Sequence, residues 1–480
     1  MIFEDREFNY SELNKLVNAS AKCLTEHGIG IGDRVAILGM NSDEYVIACL
    51  AISRIGAVSV LLNYRLALDE LKYLITDSDP VVLMADYDFL EFATELEIHI
   101  ANLKLSCILH SDQPHEDSLA TLRSAFMGEE AEIVHLDEDS LERILYTSGT
   151  TSRPKGVMLS HGNSWWNLVT QNMIGCNSPD EKTLVFAPLY HIGAQELPGL
   201  RVFGYGGQMV IMRRFDAESV LKAVSTYSIT GMVMVSTMVH IMRDLPNRQS
   251  YDTSSLTWLV FGQVAENMLE DIRAIFPNAS LKNSYGLTES CSTATTIDDV
   301  HQKLFPTSPG RVVACFDLRI VDEDGNEVPR GHLGEIVLKG PKTMLGYWRN
   351  PTATAEALRD GWLHTGDVGY LDVNDLLYVI DRKKDMIRTG GENVASQEIE
   401  RVIYELEWVA EVAVVGIADE KWGERIRAVI VPRDGFTPSQ VELIEHCKGK
   451  LASFKVPKEV LFRSELPRNP SGKVLKRDLR

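Results

Sequence analysis

Residues 146–157 read YTSGTTSRPKGV, with five hydroxyl side chains (Thr147, Ser148, Thr150, Thr151, Ser152), two glycines (Gly149, Gly156) and Lys155 in one short stretch. Such a loop offers backbone N–H groups, hydroxyl donors and a mobile ammonium, the donor set that a polyphosphate takes. Glycine lets backbone approach an oxygen closely, and Pro154 stiffens the turn before the lysine. A solvated Ser/Thr/Gly linker has a similar composition. A P-loop differs in order: there a glycine precedes the lysine and a hydroxyl residue follows it, whereas here Gly156 follows Lys155.

Four later stretches carry chemistry of a matching kind. NSYGLTES (283–290) ends in Thr288, a hydroxyl for an α-phosphate, and Glu289, whose hard oxygens suit Mg2+; Tyr285 offers a face to a purine. In WLHTGD (362–367) the two oxygens of Asp367 can accept from both hydroxyls of a ribose, and Arg382 follows fifteen residues on. TGGEN (389–393) contains Gly390 and Gly391, which let a backbone edge lie against a narrow linear ligand. PRNPSGK (467–473) presents Lys473 on a loop restrained by Pro467 and Pro470. Read singly, these are a polar loop, a turn aspartate, a Gly-Gly turn and a solvated lysine.

Together and in this order, the motifs resemble those of the adenylate-forming superfamily: acyl-CoA synthetases, peptide-synthetase adenylation domains and firefly luciferases. The resemblance spans essentially the whole chain. It implies that Thr147, Ser148, Gly149, Thr150, Thr151 and Lys155 hold the phosphates of ATP, with Ser284, Tyr285, Gly286, Asp367 and Arg382 also on the nucleotide. Glu289 and Thr147 would serve Mg2+, Thr288 the α-phosphate, and Lys473 would bridge the acid and that phosphate. Gly390, Gly391 and Glu392 would line the path of CoA once a small C-terminal domain turns about a hinge at Lys384. The acid would sit against His191, Gln195, Gly262, Gln263, Val264 and Cys291.

APLYHIGAQ (187–195) marks the branch. Amino-acid-activating members carry an aspartate in the pair that is Tyr190-His191 here, so the resemblance points to acyl- and aryl-CoA ligases. The implied reaction converts a carboxylate to its acyl-adenylate with release of pyrophosphate, and the thiol of CoA then displaces AMP. A fatty acid is the expected substrate. An aryl or other organic acid is the alternative, followed by luciferase-like oxidation, carrier loading and a degenerate nucleotide-binding protein. Two features depart from the family pattern: Phe261-Gly262-Gln263-Val264-Ala265, where relatives often show Gly-Gly or Gly-Ala, and the polar Gln195-Glu196 after His191. A buried Glu196 would need a partner. The resemblance also implies a further segment ahead of IFEDREFNYSELN.

The elements expected to position these motifs follow from periodicity. Ser11 opens a helix with apolar positions Leu13, Leu16, Val17, Ala21 and Leu24 and a stop at Gly28; strands at Val35–Leu38, Ala57–Leu62 and Val81–Ala85 alternate with a Ser42-capped helix. This rhythm predicts βαβ units with parallel pairing, repeated over 183–260. From about 310 to 383 the texture is β-rich, with a hairpin signal at Asp324-Gly325. Gly325 falls at the wrong position for an EF-hand, and the terminal glutamate is missing. From 384 to 480 a compact α+β piece is expected, with a Ser396-capped helix, strands at Val409–Val415 and Arg425–Val431, and a helix at Ser439–Ala452. The fold class is therefore α/β: a large N-terminal domain (1–383) of βαβ-type layered sheets with a β-rich subdomain, then a small mobile C-terminal domain hinged near Lys384.

At 480 residues the chain exceeds one hydrophobic core, and 45% hydrophobic with 24% charged residues is ordinary for a globular enzyme. A formal net charge of −20 argues against nucleic acid as a partner. Residues 446–480 are the exception, with ten Lys/Arg against three acidic residues, expected to be mostly a solvated surface. Seven cysteines without a C-x-x-C pair exclude a disulfide framework or zinc site, and no apolar run is long enough to span a membrane. A cytoplasmic enzyme using ATP, Mg2+ and CoA is expected, and a homodimer is compatible with this class.

Overall fold

The computed structural model describes residues 1–132, 134–147, 153–175, 178–262, 266–389, 392–468 and 474–480, with backbone alone at 236, 237, 240, 266, 267 and 393. The chain forms two compact units, Met1–Leu318 with Leu338–Leu363, and Arg319–Val337 with His364–Arg480.

The first unit opens with the expected helix, Tyr10–Glu26, which buries Leu13, Val17, Ala21 and Leu24. Its cap is Asn9 rather than Ser11. The Asn9 side chain accepts from Glu12 N and the Glu12 carboxylate accepts from Asn9 N, both at 2.9 Å. This reciprocal box satisfies two end donors, while Ser11 already lies inside the first turn. Gly28, at φ 73°, ends the helix as expected.

Two sheets follow from the βαβ rhythm. One has seven strands, ordered Gly346–Tyr347, Lys155–Ser160, Leu141–Thr147, Val58–Leu62, Arg34–Leu38, Val82–Ala85 and Leu105–Ile108. Its central strands pair in parallel and bury both faces, hence their predominance of Val, Leu, Ile and Ala. The other sheet has nine strands and includes Lys182–Val185, Gly231–Met234, Trp258–Phe261 and Ser280–Leu287 in parallel. Its core joins Leu184, Met232, Leu259 and Leu281 to Val220, Leu221 and Ile272 from covering helices. Asn41 ties the sheets together: its Nδ2 donates to Ala187 O at 2.9 Å and Met212 O at 3.2 Å.

The second unit contains the β-rich strands, including Leu377–Arg382, which pairs antiparallel with Trp362–Leu371. Asp322 organises the expected turn by accepting from Asp324 N and Asn326 N. Beyond it, the long hairpin Val409–Asp419 and Gly423–Pro432 packs against helices Ser396–Ile403 and Gln440–Lys450. Ser439 caps the latter helix, but Ser396 is not a cap. It is the first helical residue, and Asp381 accepts from both its N–H (2.7 Å) and its hydroxyl (2.5 Å). Among the described residues, no helix is long and apolar enough to cross a membrane.

Candidate active site

In the first unit, strands Leu141–Thr147 and Lys155–Ser160 pair as a hairpin and set Thr147 opposite Lys155. Ser148, Gly149, Thr150 and Thr151 lie outside the described residues. The helix Leu68–Ser78 braces the hairpin: Tyr73 donates to Pro154 O (3.2 Å) and Tyr146 to Asp77 Oδ2 (2.6 Å). Gly156 has no space for a side chain, since a Cβ would lie 2.8 Å from Ile144 and 3.3 Å from Trp348.

Gly346–Tyr347 pairs with Val157–Met158 and brings the Tyr347 ring beneath Lys155, whose Nζ lies 4.9 Å from the ring centre. The Tyr347 hydroxyl donates to Glu289 Oε1 at 3.0 Å, and Met344 N donates to the Glu289 carbonyl at 2.9 Å. One tyrosine thus links the loop lysine with the carboxylate expected to serve Mg2+. Sequence reasoning passed over it; its one signal is the Gly346-Tyr347-Trp348 run. Among the described residues no group of three or more His, Cys, Asp or Glu side chains is suited to hold a metal. A single carboxylate near the expected phosphate loop still fits Mg2+, which takes one or two carboxylates along with substrate phosphates and water.

Thr288–Ser290 forms a single tight turn after strand Ser280–Leu287. The buried Ser290 hydroxyl holds it closed, accepting from Leu287 N at 3.0 Å and donating to Ser292 O at 2.9 Å. Cys291 and Ser292 sit at φ 46° and 74°, a conformation uncommon for residues other than glycine. Ser284 is half-buried and Tyr285 buried, opposite Thr296 and Thr295. Gly286 passes so close to the neighbouring strand that a Cβ would fall 1.9 Å from Ser292 O.

His191 stays exposed although protein atoms surround it. Crowding, reinforced by Arg65, pushes its pKa below the ordinary imidazole value. Exposure amid dense surroundings is the mark of a recess lining. Tyr190 packs against it with ring centres 5.4 Å apart, and Tyr64 meets Tyr190 edge-on at 5.5 Å. Gly262 is exposed and Cys291 fully buried; Gln263 and Val264 lie outside the described residues.

The segment after His191 becomes a π-helical turn, Gln195–Gly199, with all its residues buried. Glu196 has the partner its burial requires. Arg143 Nη1 meets Glu196 Oε1 at 2.5 Å, and Asn167 Nδ2 donates to Glu196 Oε2 at 2.7 Å. Arg143 also donates to Gln195 Oε1 (2.7 Å) and Glu142 Oε2 (2.8 Å), and bonds Ser164. Burial alone would lower the pKa of this guanidinium; Glu142 and Glu196 outweigh it and raise the pKa instead. Close by, fully buried Lys342 donates to Thr293 O at 2.7 Å, its pKa lowered chiefly by burial. Arg143, Lys342, Glu142 and Glu196 balance in charge.

The second unit brings together the expected ribose pair. Asp367 and Arg382 are cross-strand neighbours, with Arg382 Nε 2.6 Å from Asp367 Oδ1. The preceding turn is fixed by Thr365, which donates to Ile336 O (2.7 Å) and accepts from Asp367 N (3.1 Å). Lys384 follows; burial lowers its pKa, and its carbonyl accepts from Arg480 Nη2 at 3.0 Å. Gly390 and Gly391 lie outside the described residues; their neighbours Thr389 and Glu392 pair antiparallel, with Glu392 exposed. Lys473 also lies outside them, but its flanks are fixed by a bridge between Arg468 and Val474. The basic tail departs from a solvated surface at Lys476, which meets Glu400 Oε1 at 2.8 Å and donates to Ser396 Oγ at 2.5 Å. Burial opposes its charge, yet Glu400 and Asp381 raise its pKa.

Residues 1–348 match the family described as AMP-binding enzyme, and residues 398–473 match the AMP-binding enzyme C-terminal domain. The chain is 35% identical over 484 residues to an indoleacetate–CoA ligase of Aromatoleum aromaticum, covering 100% of this chain and 94% of the relative. It is 36% identical over 471 residues to a feruloyl-CoA synthase of an Amycolatopsis species, covering 98% and 93%. The o-succinylbenzoate coenzyme A synthetase of Bacillus subtilis, solved with ATP and a magnesium ion, superposes with a TM-score of 0.86 at 30% identity, covering 100% and 95%. By these matches the chain belongs to the AMP-binding enzymes of the adenylate-forming superfamily, as an AMP-forming acid–thiol ligase.

Proposed function

We propose that this ligase activates an aryl or other compact organic acid, rather than a fatty acid, and passes the acyl group to CoA. The observation that carries this reading is the buried ionic cluster on the turn that follows His191. Gln195, Glu196 and Arg143 place buried polar groups where a long alkyl chain would gain nothing and would leave donors unmatched. The relatives named for indoleacetate, ferulate and succinylbenzoate support the same choice, so the expected fatty acid gives way to the aryl alternative.

In this reading the loop 147–151 and Lys155 hold the triphosphate, and Tyr285, Asp367 and Arg382 hold the adenosine. Glu289 and Thr147 hold Mg2+, which screens the charge of departing pyrophosphate. Thr288 donates to the α-phosphate, and Lys473 draws the acid carboxylate towards it, so that the carboxylate oxygen attacks phosphorus as the bond to pyrophosphate breaks. The domain from 384 onwards then turns about Lys384 and presents Gly390, Gly391 and Glu392 to the pantetheine arm. The CoA thiol, losing its proton, attacks the acyl carbon and AMP leaves with the bond electrons.

Incubation with ATP, Mg2+, CoA and a panel of aryl and graded-length fatty acids tests this. AMP and pyrophosphate are expected, with kcat/KM for the best aryl acid at least about tenfold above the best fatty acid. ADP as product overturns the ligase chemistry; a fatty acid as best substrate overturns the aryl assignment alone.

A further inference from the structure

Gln195 stands at the head of the π-helical turn that follows His191, 3% exposed. Its Oε1 accepts from Arg143 Nη1 at 2.7 Å. A guanidinium has donors only and keeps its proton in a protein, so this contact permits one orientation of the amide. The oxygen faces Arg143 and the nitrogen faces away. Arg143 cannot turn to relax this constraint, because Glu142 holds its Nη2 and Glu196 shares its Nη1. Glu196 is fixed in turn by Asn167.

Among the described residues, Gln195 Nε2 has no hydrogen-bond partner, although the cluster around it is densely bonded. Two N–H donors of fixed direction thus point away from Arg143, on the turn that follows His191 in sequence. The buried acceptors nearby are already engaged: Glu196 by Arg143 and Asn167, and Glu142 by Arg143 and Ser164. A donor held this way favours an oxygen acceptor and penalises an apolar atom at the same point, since an unmatched buried amide loses its hydration without replacement.

We infer that Gln195 is a specificity-determining residue: its Nε2 donates to an oxygen acceptor on the acyl part of the acid, and Arg143 positions that amide. This inference rests on the reading that the segment after His191 borders the acid. It narrows the substrate class to acids bearing a ketone, ether or hydroxyl oxygen away from the reacting carboxyl.

The test uses paired arylalkanoic acids, one with a ketone or ether oxygen and the other with CH2 in its place, the oxygen moved stepwise along the side chain. The wild-type enzyme is expected to favour one oxygen-bearing acid over its methylene partner by about tenfold or more in kcat/KM. Gln195→Leu and the isosteric Gln195→Glu bring that ratio to one or below, because neither offers a donor there. Arg143→Met also lowers it by releasing the amide. Each ratio is taken within one preparation, so a loss of folded enzyme cancels. A wild-type ratio near one at every oxygen position overturns the inference, as does a preference that survives in both Gln195 variants. If no acid yields AMP, the ligase reading itself fails and the inference falls with it.

Discussion

The Tyr347 hydroxyl donates to Glu289 Oε1 at 3.0 Å, so the carboxylate at the end of the Thr288 turn is held by a residue 58 positions further along the chain. The same ring lies under the Lys155 ammonium, which gives one side chain a hold on both a cation and an anion of the proposed phosphate site. Tyr347→Phe keeps the ring and removes the hydroxyl. We expect kcat to fall about ten- to a hundredfold, by the worth of one hydrogen bond to a charged group, and the Mg2+ concentration for half-maximal activity to rise. Pyrophosphate release titrated with Mg2+ measures both. Unchanged Mg2+ dependence would contradict the assignment of Glu289.

The Asp367–Arg382 pair predicts a nucleotide effect. Asp367→Asn keeps one acceptor and loses the charge that pairs with Arg382. KM for ATP should rise about tenfold or more, while KM for CoA moves little. Steady-state kinetics with each substrate varied in turn decide it; a rise confined to CoA would remove the ribose role.

Lys473 is assigned to the first half-reaction only. In Lys473→Ala, adenylate formation should fall by about a hundredfold or more, while thioester formation from supplied acyl-adenylate continues. Comparable loss of both half-reactions would count against the role.

Two buried carboxyls predict a pH effect. Burial, with Glu44 adding, pushes Asp43 up to about 6. Burial also carries Asp86 to about 6, against the pull of Arg213 and the Met40 N–H. Unfolded, each titrates near 4. Between these values the native state holds more protons than the unfolded chain, so these groups make stability fall as pH rises from about 4 to about 6. Each accounts for about 3 kcal/mol across that window. Asp86→Asn, whose amide oxygen can still accept from Met40, should therefore gain on the wild type as pH rises. Urea unfolding at several pH values measures the difference, and a gain in the opposite direction would exclude this account.

The motifs were legible because each packs its chemistry into a few consecutive residues, as in 283–290 and 362–367. Parallel strands were legible because burial on both faces leaves an unbroken apolar run, as at Val35–Leu38. Arg143 was not, since it looks like a stray charge in a strand until Gln195 and Glu196, more than fifty residues away, meet it. Lys476 was hidden among basic neighbours, and only the fold brings it to Glu400. The cap at Asn9 was missed because Ser11 is an equally good cap type, and spacing to Glu12 decides between them. The acid was least legible: the buried cluster of Arg143, Gln195 and Glu196, on which its proposed class rests, is assembled from distant segments.

Lys473 is joined by a single peptide to Val474, which bridges Arg468 and packs beside Val415, Leu466 and Leu479 on the sheet of the second unit. Neighbouring Cα atoms are about 3.8 Å apart, whatever the backbone does. In the proposed reaction the residue that follows Lys473 is thus seated on a folded sheet, and displacing that attachment point takes rigid-body motion, on the clock of microseconds to milliseconds.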